Sequence, residues 1–205
     1  IILPYGFNLT YKLFTEGQDK AFLKAAFGNY ISPELIDEMF DSKQKPELGG
    51  NAAMRTAYFT DIASFSTFSE LLTASELVIL LNEYLTSMTD ILLNGGGTLD
   101  KYEGDAILAF FENPGDEVTS ASTAIRCAVA MQKKAEDLDT IYKSQNRFPF
   151  SIRIGVTTGY AKVGNIGPVE KYDYTIIGSV VNLANRLQAL GSSGDIIFEK
   201  ETLFF

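Results

Sequence analysis

Apolar residues recur every three or four positions in three stretches of the chain, the spacing typical of amphipathic helices. The first stretch, 73–93, opens on the capping box Thr73–Glu76 and stops before three consecutive glycines. The second covers 116–136 and the third 179–190. Runs rich in β-branched and aromatic residues lie between them and predict strands at 55–62, 98–101, 106–111, 150–157, 161–164, 172–177 and 195–198.

The order of these elements predicts the architecture. A strand, a helix, a hairpin, a second helix and a strand follow one another, and 102–105 form the tight turn of the hairpin. This is the ferredoxin-like βαββαβ plan, here with additional strands and a helix after it. We therefore predict an α+β fold in which helices cover an antiparallel-containing sheet.

The residues ahead of this pattern are predicted to be a linker. Apolar positions between 7 and 30 have helical spacing, and Ser32-Pro33 is a typical helix start. A loop is predicted at 42–51, where a proline and two glycines lie. We place the domain boundary in this loop, with linker helices in 1–50 and one domain in 51–205.

The first nine residues are mostly apolar but too few to span a bilayer. They are either the tail of an upstream transmembrane helix or part of an amphipathic linker that packs on a partner. The sequence leaves both alternatives open.

Composition excludes several functions. A net charge of −9 without a Lys/Arg cluster argues against a nucleic acid partner, because phosphate backbones require a basic surface. There is no histidine, so neither a Ser-His-Asp triad nor a histidine-ligated metal site can exist. The single cysteine, Cys127, cannot form a disulfide within the chain, and a reducing cytosol is the expected compartment.

Two acidic residues stand at positions suited to chemistry. Asp61 comes near the end of the first strand, and Asp105 lies in the hairpin turn. If the hairpin pairs beside the first strand, their carboxylates meet at one end of the sheet. Two close carboxylates form a site for a hard cation such as Mg²⁺, whose coordination substrate phosphates complete.

Two weaker signals point to phosphate and sugar contacts. The backbone N–H groups of Ala63, Ser64, Phe65 and Ser66 precede a short helix and are candidates to bind phosphate, although ordinary helix capping explains the same residues. Asn182 and Arg186 are four residues apart on a predicted helix and therefore share a face. An amide beside a guanidinium suits a sugar and a phosphate; a solvated polar stripe is the alternative.

Five motifs in order resemble those of the class III adenylate and guanylate cyclases, and together they cover about residues 54–199. They are Phe59-Thr60-Asp61-Ile62, the segment 97–105 with the sequence GTLDKYEGD, Gly164-Asn165-Ile166-Gly167, the segment 173–178 with the sequence DYTIIG, and the segment 181–186 with the sequence VNLANR. The resemblance implies the class III cyclase fold and assigns 51–205 to the catalytic domain.

The resemblance also implies residue roles. Asp61, Asp105 and the backbone oxygen of Ile62 would hold two divalent ions, Mg²⁺ or Mn²⁺. Asn182 would orient the ribose, and Arg186 would stabilise the charge that develops on the α-phosphate. In this family one active site takes residues from two subunits, so a homodimer with shared active sites is implied.

Lys101 and Thr175 occupy the positions that read the purine in this family. A lysine and a hydroxyl suit adenine N1 and its 6-amino group, so ATP is the expected substrate. A guanylate cyclase and a non-catalytic nucleotide-binding or dimerisation module remain as alternatives. A diguanylate cyclase would need a different hairpin sequence from the one at 102–105.

Three features depart from the family pattern or extend it. Ala63-Ser64 stands where the family commonly has Arg-Gly, which affects the expected phosphate contacts. The chain stops at Phe205, before the hairpin that often carries a triphosphate-binding lysine. Residues 19–40 resemble the segment that joins membrane-anchored sensors to such domains, so we expect an upstream sensor or transmembrane region and a catalytic domain at the cytoplasmic face.

Overall fold

The computed structural model describes residues 48–113, 116–145 and 147–204. The predicted linker helices, the boundary loop up to 47 and the segment resembling a sensor connector lie outside the described residues. The chain divides into two compact units. One comprises Gly50–Val163 with Thr175–Phe205 and contains every candidate site residue; the other includes Gly164–Tyr174.

Secondary structure follows the predicted order. The strands are β1 (Gly49–Ile62), β2 (Thr98–Glu103), β3 (Ala106–Phe111), β4 (Ile152–Ile166), β5 (Asp173–Ile177) and β6 (Ile196–Phe198). The helices are α1 (Phe65–Ser69), α2 (Ala74–Asn94), α3 (Glu117–Ser144) and α4 (Ser179–Leu190), and a 3-10 helix spans Lys200–Phe204.

The sheet has the order β2-β3-β1-β4-β5, and β6 pairs with β4 in parallel. Both β1 and β2 pair with β3 in antiparallel fashion. The four strands of the βαββαβ unit, β1 to β4, thus have the order of a ferredoxin-like fold, with β1 and β3 in the centre. This arrangement confirms the predicted α+β class.

Local signals set the ends of α2. The side chain of Thr73 accepts a hydrogen bond from the N–H of Glu76, whose carboxylate accepts from the N–H of Thr73, so the predicted capping box is present. Gly95 ends the helix, as predicted. The buried face of α2 carries Leu80, Tyr84, Met88 and Leu92.

Three boundaries differ from the prediction. Strand β1 begins at Gly49, inside the predicted loop. The prediction missed this start because the first residues of the strand are mostly exposed and show no pattern of alternating burial. Helix α3 continues eight residues past 136, and Leu138 and Tyr142 there are buried in the core although charged residues surround them. The two strands predicted at 150–157 and 161–164 are one continuous strand, β4.

The core lies between the sheet and helices α2 and α3. Its largest fully buried side chains are Tyr58, Tyr84, Tyr142, Phe111, Ile62, Met88, Leu92, Ile107, Met131, Ile152 and Ile154. Cys127 is buried in this core, and burial raises the pKa of its thiol to about 12, so the side chain acts as a small core residue. Within the described ranges, no helix is both long and apolar enough to cross a membrane.

Candidate active site

Strand pairing brings the two predicted metal ligands together. Thr60 of β1 lies opposite Ile107 of β3, and continuing this register places Asp105 opposite Ile62. The N–H of Ile62 donates to Asp105 Oδ2 at 3.2 Å, and the side chains of Asp105 and Asp61 are close enough for Asp61 to raise the pKa of Asp105. The prediction that these two carboxylates meet at the ends of neighbouring strands is confirmed.

The surroundings of Asp105 change its titration. Burial, the hydrogen bond to Asp61 and the negative charge of Asp61 together raise the pKa of Asp105 to about 7. The N–H groups of Ile62 and of Asp105 itself act in the opposite direction. Two acids in contact resist being ionised together, and a bound cation relieves that repulsion.

Two side chains that the sequence analysis missed also bind Asp61. Arg153 of β4 donates from Nη2 to Asp61 Oδ2 at 2.8 Å, and Gln188 of α4 donates from Nε2 to the same oxygen at 3.1 Å. Arg153 lies between two buried isoleucines of β4. A charged residue in an otherwise apolar strand is a signal from which the sequence could have predicted a role for Arg153 in the site. Gln188 follows Ala184 by four residues on the buried face of α4.

Close packing of α4 on β4 positions Gln188. A Cβ atom on Gly155 of β4 would lie 2.1 Å from the carbonyl oxygen of Ala184 and 2.6 Å from the N atom of Gln188. Only glycine permits this approach of strand and helix. Gly155 therefore packs against Gln188, and Gln188 donates to Asp61, all within one protomer.

The chemistry of the donor set fits a divalent cation. Among the described residues there is no group of three or more Asp, Glu, Cys or His side chains that could hold a metal. The two carboxylates and the carbonyl of Ile62 offer only oxygen ligands, which are the ligands that Mg²⁺ and Mn²⁺ prefer. A site with so few protein ligands suits an ion that also binds a phosphate-bearing substrate.

The predicted purine-reading residues are joined by a third residue, Asp100. Its Oδ2 accepts hydrogen bonds from the hydroxyl of Thr175 and from the N–H of Ile176, both at 2.7 Å. Its Oδ1 lies 3.4 Å from Lys101 Nζ, an ion-pair separation without hydrogen-bond geometry. Lys101 and Thr175 are thus brought to one place, and the sequence analysis did not foresee Asp100.

Asn182 and Arg186 share the exposed face of α4, as their spacing predicted. Leu183 and Leu190 lie on the same face and are 38% and 77% exposed. Arg186 is two residues from Gln188, which places the two side chains about 200° apart around the helix axis. Because Gln188 points at Asp61, Arg186 points away from the acids of its own chain.

The candidate phosphate-binding segment follows Asp61 directly. Ser64 has a left-handed backbone, with φ of 59°, and its side chain does not cap α1. The N–H of Ala63 donates to the carbonyl of Ser151 at 2.9 Å, so the prediction that Ala63 offers its N–H to phosphate is wrong in this geometry. Ser64, Phe65 and Ser66 remain candidates to bind phosphate through their backbone N–H groups.

Comparison with known proteins agrees with this arrangement. Residues 52–204 match the family described as the adenylate and guanylate cyclase catalytic domain. The chain is 34% identical over 167 residues to adenylate cyclase 1 of Rhizobium meliloti, an alignment that covers 80% of this chain and 25% of that protein. The chain therefore spans about a quarter of the length of this curated relative.

Among the solved structures that resemble this fold are two cyclases with more than 30% sequence identity to this chain. The adenylyl cyclase CyaB from P. aeruginosa has a TM-score of 0.73 and 39% sequence identity, over 77% of this chain and 82% of that one. The guanylyl cyclase Cya2 has a TM-score of 0.71 and 32% identity, over 77% and 80% of the two chains. The fold is that of the class III cyclases. The chain belongs to the adenylate and guanylate cyclase catalytic domain family.

Proposed function

We propose that this chain is an adenylate cyclase domain that converts ATP to 3′,5′-cyclic AMP and pyrophosphate at sites shared by two copies. One observation carries the proposal. Helix α4 turns Gln188 toward the Asp61–Asp105 pair and turns Arg186 to the opposite side. A site that needs both the acids and the arginine is therefore completed by a second copy.

The acids would hold the metal ions. Asp61, Asp105 and the carbonyl of Ile62 would bind two divalent cations, Mg²⁺ or Mn²⁺. When bound, such ions lower the pKa of a coordinated hydroxyl and neutralise phosphate charge. Burial and then the contact with Asp61 raise the pKa of Asp105, and the contact supports this role because a cation removes the repulsion between the two carboxylates.

Residues of the second copy would act on the substrate. The 3′-hydroxyl of ATP would lose its proton to water, and its oxygen would form a bond to the α-phosphorus as the bond to the pyrophosphate oxygen breaks. Arg186 would donate to the oxygens of the α-phosphate as their charge grows, and Asn182 would hold the ribose so that the 3′-oxygen is aligned. Backbone N–H groups of Ser64, Phe65 and Ser66 would contact the other phosphates.

The base would be read by Lys101 and Thr175. The Lys101 ammonium donates to adenine N1, and the Thr175 hydroxyl accepts from the 6-amino group. A guanylate cyclase is the second candidate, because the guanylyl cyclase Cya2 is 32% identical to this chain. Guanine carries an acceptor at position 6 and a hydrogen on N1, and these match Lys101 and Thr175 less well.

The location and the upstream partner are also proposals. The catalytic domain would lie at the cytoplasmic face of a membrane, where ATP is available and a free thiol stays reduced. An upstream sensor or transmembrane region would control it. The resemblance of residues 19–40 to a sensor connector supports this arrangement.

Mixing two inactive variants tests the shared site. Asp61→Ala removes one half of the site and Asn182→Ala the other, so each variant alone should form almost no cyclic AMP. An equal mixture gives heterodimers in half of the dimers, and each heterodimer has one intact site, so about a quarter of the wild-type rate should return.

The assay uses ATP or GTP with Mg²⁺ or Mn²⁺ at high protein concentration, because weak association would hide activity. Dimer formation is checked by analytical ultracentrifugation. If a dimeric wild-type chain forms no cyclic nucleotide, the proposal that it is a cyclase is rejected and a non-catalytic module is favoured. No recovery from mixtures that contain heterodimers would reject the shared site.

A further inference from the structure

Asp100 is a buried carboxylate in an irregular position of β2. Leu99 pairs with Ala109 and Lys101 with Leu108, so Asp100 is the extra residue of a β-bulge. Its side chain has 0% exposure. Bulges re-aim side chains and are over-represented next to active sites. Here the bulge carries a charged group to the interior, where its partners lie on β5.

The contacts of Asp100 fix the direction of one hydrogen bond. A hydroxyl has one hydrogen to donate, whereas an ionised carboxylate only accepts. The hydroxyl of Thr175 donates to Asp100 Oδ2 at 2.7 Å; its other acceptor contact, to the carbonyl of Ile176, is at 3.5 Å. The hydrogen is therefore committed to Asp100, and Thr175 Oγ1 has only lone pairs left for a ligand.

This direction matters for a purine. Adenine carries an amino donor at position 6, whereas guanine and hypoxanthine carry a carbonyl acceptor there. An oxygen that can only accept hydrogen bonds attracts the 6-amino group of adenine and repels the 6-carbonyl oxygen of guanine or hypoxanthine. We propose that Asp100 is a positioning residue that makes Thr175 a hydrogen-bond acceptor and thereby sets the preference for adenine over 6-oxopurines. This inference rests on the proposed function, in which Lys101 and Thr175 read the base.

The test is Asp100→Ala, which removes the carboxylate. The hydroxyl of Thr175 then has no carboxylate to donate to, so its hydrogen becomes available to the base. The ratio of kcat/KM for ATP to that for ITP should fall about 10- to 100-fold, and the ATP-to-GTP ratio should fall with it. ITP is included because it changes the 6-position without adding a 2-amino group.

Variants of Thr175 show whether Asp100 acts through it. Thr175→Val should lower the ATP-to-ITP ratio by a similar factor, and adding Asp100→Ala to this variant should change the ratio by less than about 2-fold. Thr175→Ser keeps the hydroxyl and should keep the wild-type ratio. Asp90 is an exposed aspartate of α2, and Asp90→Ala is the matched control for a lost carboxylate, which should leave the ratio unchanged.

The outcomes separate this inference from the proposed function. A wild-type chain that makes cyclic AMP with ATP preferred, together with a folded Asp100→Ala variant of unchanged ratio, overturns the role of Asp100 alone. A merely structural role would lower the thermal midpoint and the rates with both nucleotides equally. If Asp100→Ala does not fold, Thr175→Val decides, and an unchanged ratio there overturns the inference. Absence of any product from the wild type overturns both proposals.

Discussion

The two faces of α4 differ in what they touch. The buried face carries Ala184 and Gln188, which pack against Gly155 and donate to Asp61 within the same chain. The exposed face carries Asn182 and Arg186 beside Leu183 and Leu190. One helix therefore contacts the acid pair on one side and carries the proposed second half-site on the other.

Substitutions on the two faces of α4 should therefore have different effects. Changes on the buried face disturb core packing and the acids together, so they should lower both stability and activity. Changes of Asn182 or Arg186 on the exposed face remove no hydrogen bond or ion pair among the described residues, and they should lower activity alone. The predictions below test this difference.

The largest expected effect is on activity at the acid pair. Asp61→Asn removes one of two carboxylates that would hold the cations, so the rate of cyclic AMP formation should fall by about 10³-fold or more. Asp137→Asn, an exposed aspartate of α3, is the control for lost charge. Circular dichroism and sedimentation should show a folded dimer; a folded dimer that keeps more than a tenth of the activity would contradict the metal role of Asp61.

The next effect is on stability at the buried face. Gly155→Ala places a methyl group into the backbone of α4, with 2.1 Å to the oxygen of Ala184, so the free energy of unfolding should fall by about 3 kcal/mol. Gly191→Ala is the matched control, because a Cβ there meets its nearest atom at 3.3 Å. Urea unfolding measures both. Equal stability of the two variants would mean that β4 and α4 do not approach as described.

On the exposed face the effect should be confined to catalysis. Arg186→Ala removes the proposed donor to the α-phosphate, so kcat should fall about 100-fold. The free energy of unfolding should change by less than about 0.5 kcal/mol, as for an ordinary surface position. Arg126→Ala, an exposed arginine of α3, should change neither quantity. A large loss of stability in Arg186→Ala would show that the exposed face is not free within the chain.

Local signals made most of the fold predictable. The capping box at Thr73 and the glycines after Asn94 gave the ends of α2 to within one residue, because caps are encoded by neighbouring residues. The end of α3 was missed because its last turns are mostly charged, and only the packing of Leu138 and Tyr142 in the tertiary structure explains the extension.

The candidate site was predictable where its geometry is local. Asp61 and Asp105 stand at a strand end and in a hairpin turn, so one assumption about pairing brought them together. Arg153 and Gln188 depend on β4 lying beside β1 and on α4 packing over it, which no short sequence window contains. Asp100 and Thr175 are 75 residues apart in sequence, and the bulge that joins them has no local signature.

The smallest expected effect concerns the pH dependence of stability in the metal-free chain. The folded-state pKa of Asp105 is raised to about 7, above the value of 3.8 for an unperturbed carboxyl. Between these values the folded chain binds more protons than the unfolded chain, so this group lowers stability as pH rises from about 4 to 7. The cost is fully present above the folded pKa and absent below the unfolded one.

Asp105→Asn removes this titration while keeping an acceptor for the N–H of Ile62. In EDTA, the thermal midpoint of the variant relative to wild type should therefore rise between pH 5 and pH 8. Because the carboxyl is only partly buried, solvent screening reduces the change to about 1 kcal/mol, or about 2–4 °C for a chain of this size. Asp137→Asn should show no such rise. A difference that stays constant with pH, or shrinks, would mean that Asp61 and Asp105 do not repel each other in the folded chain, and the main reason for expecting cations between them would be lost.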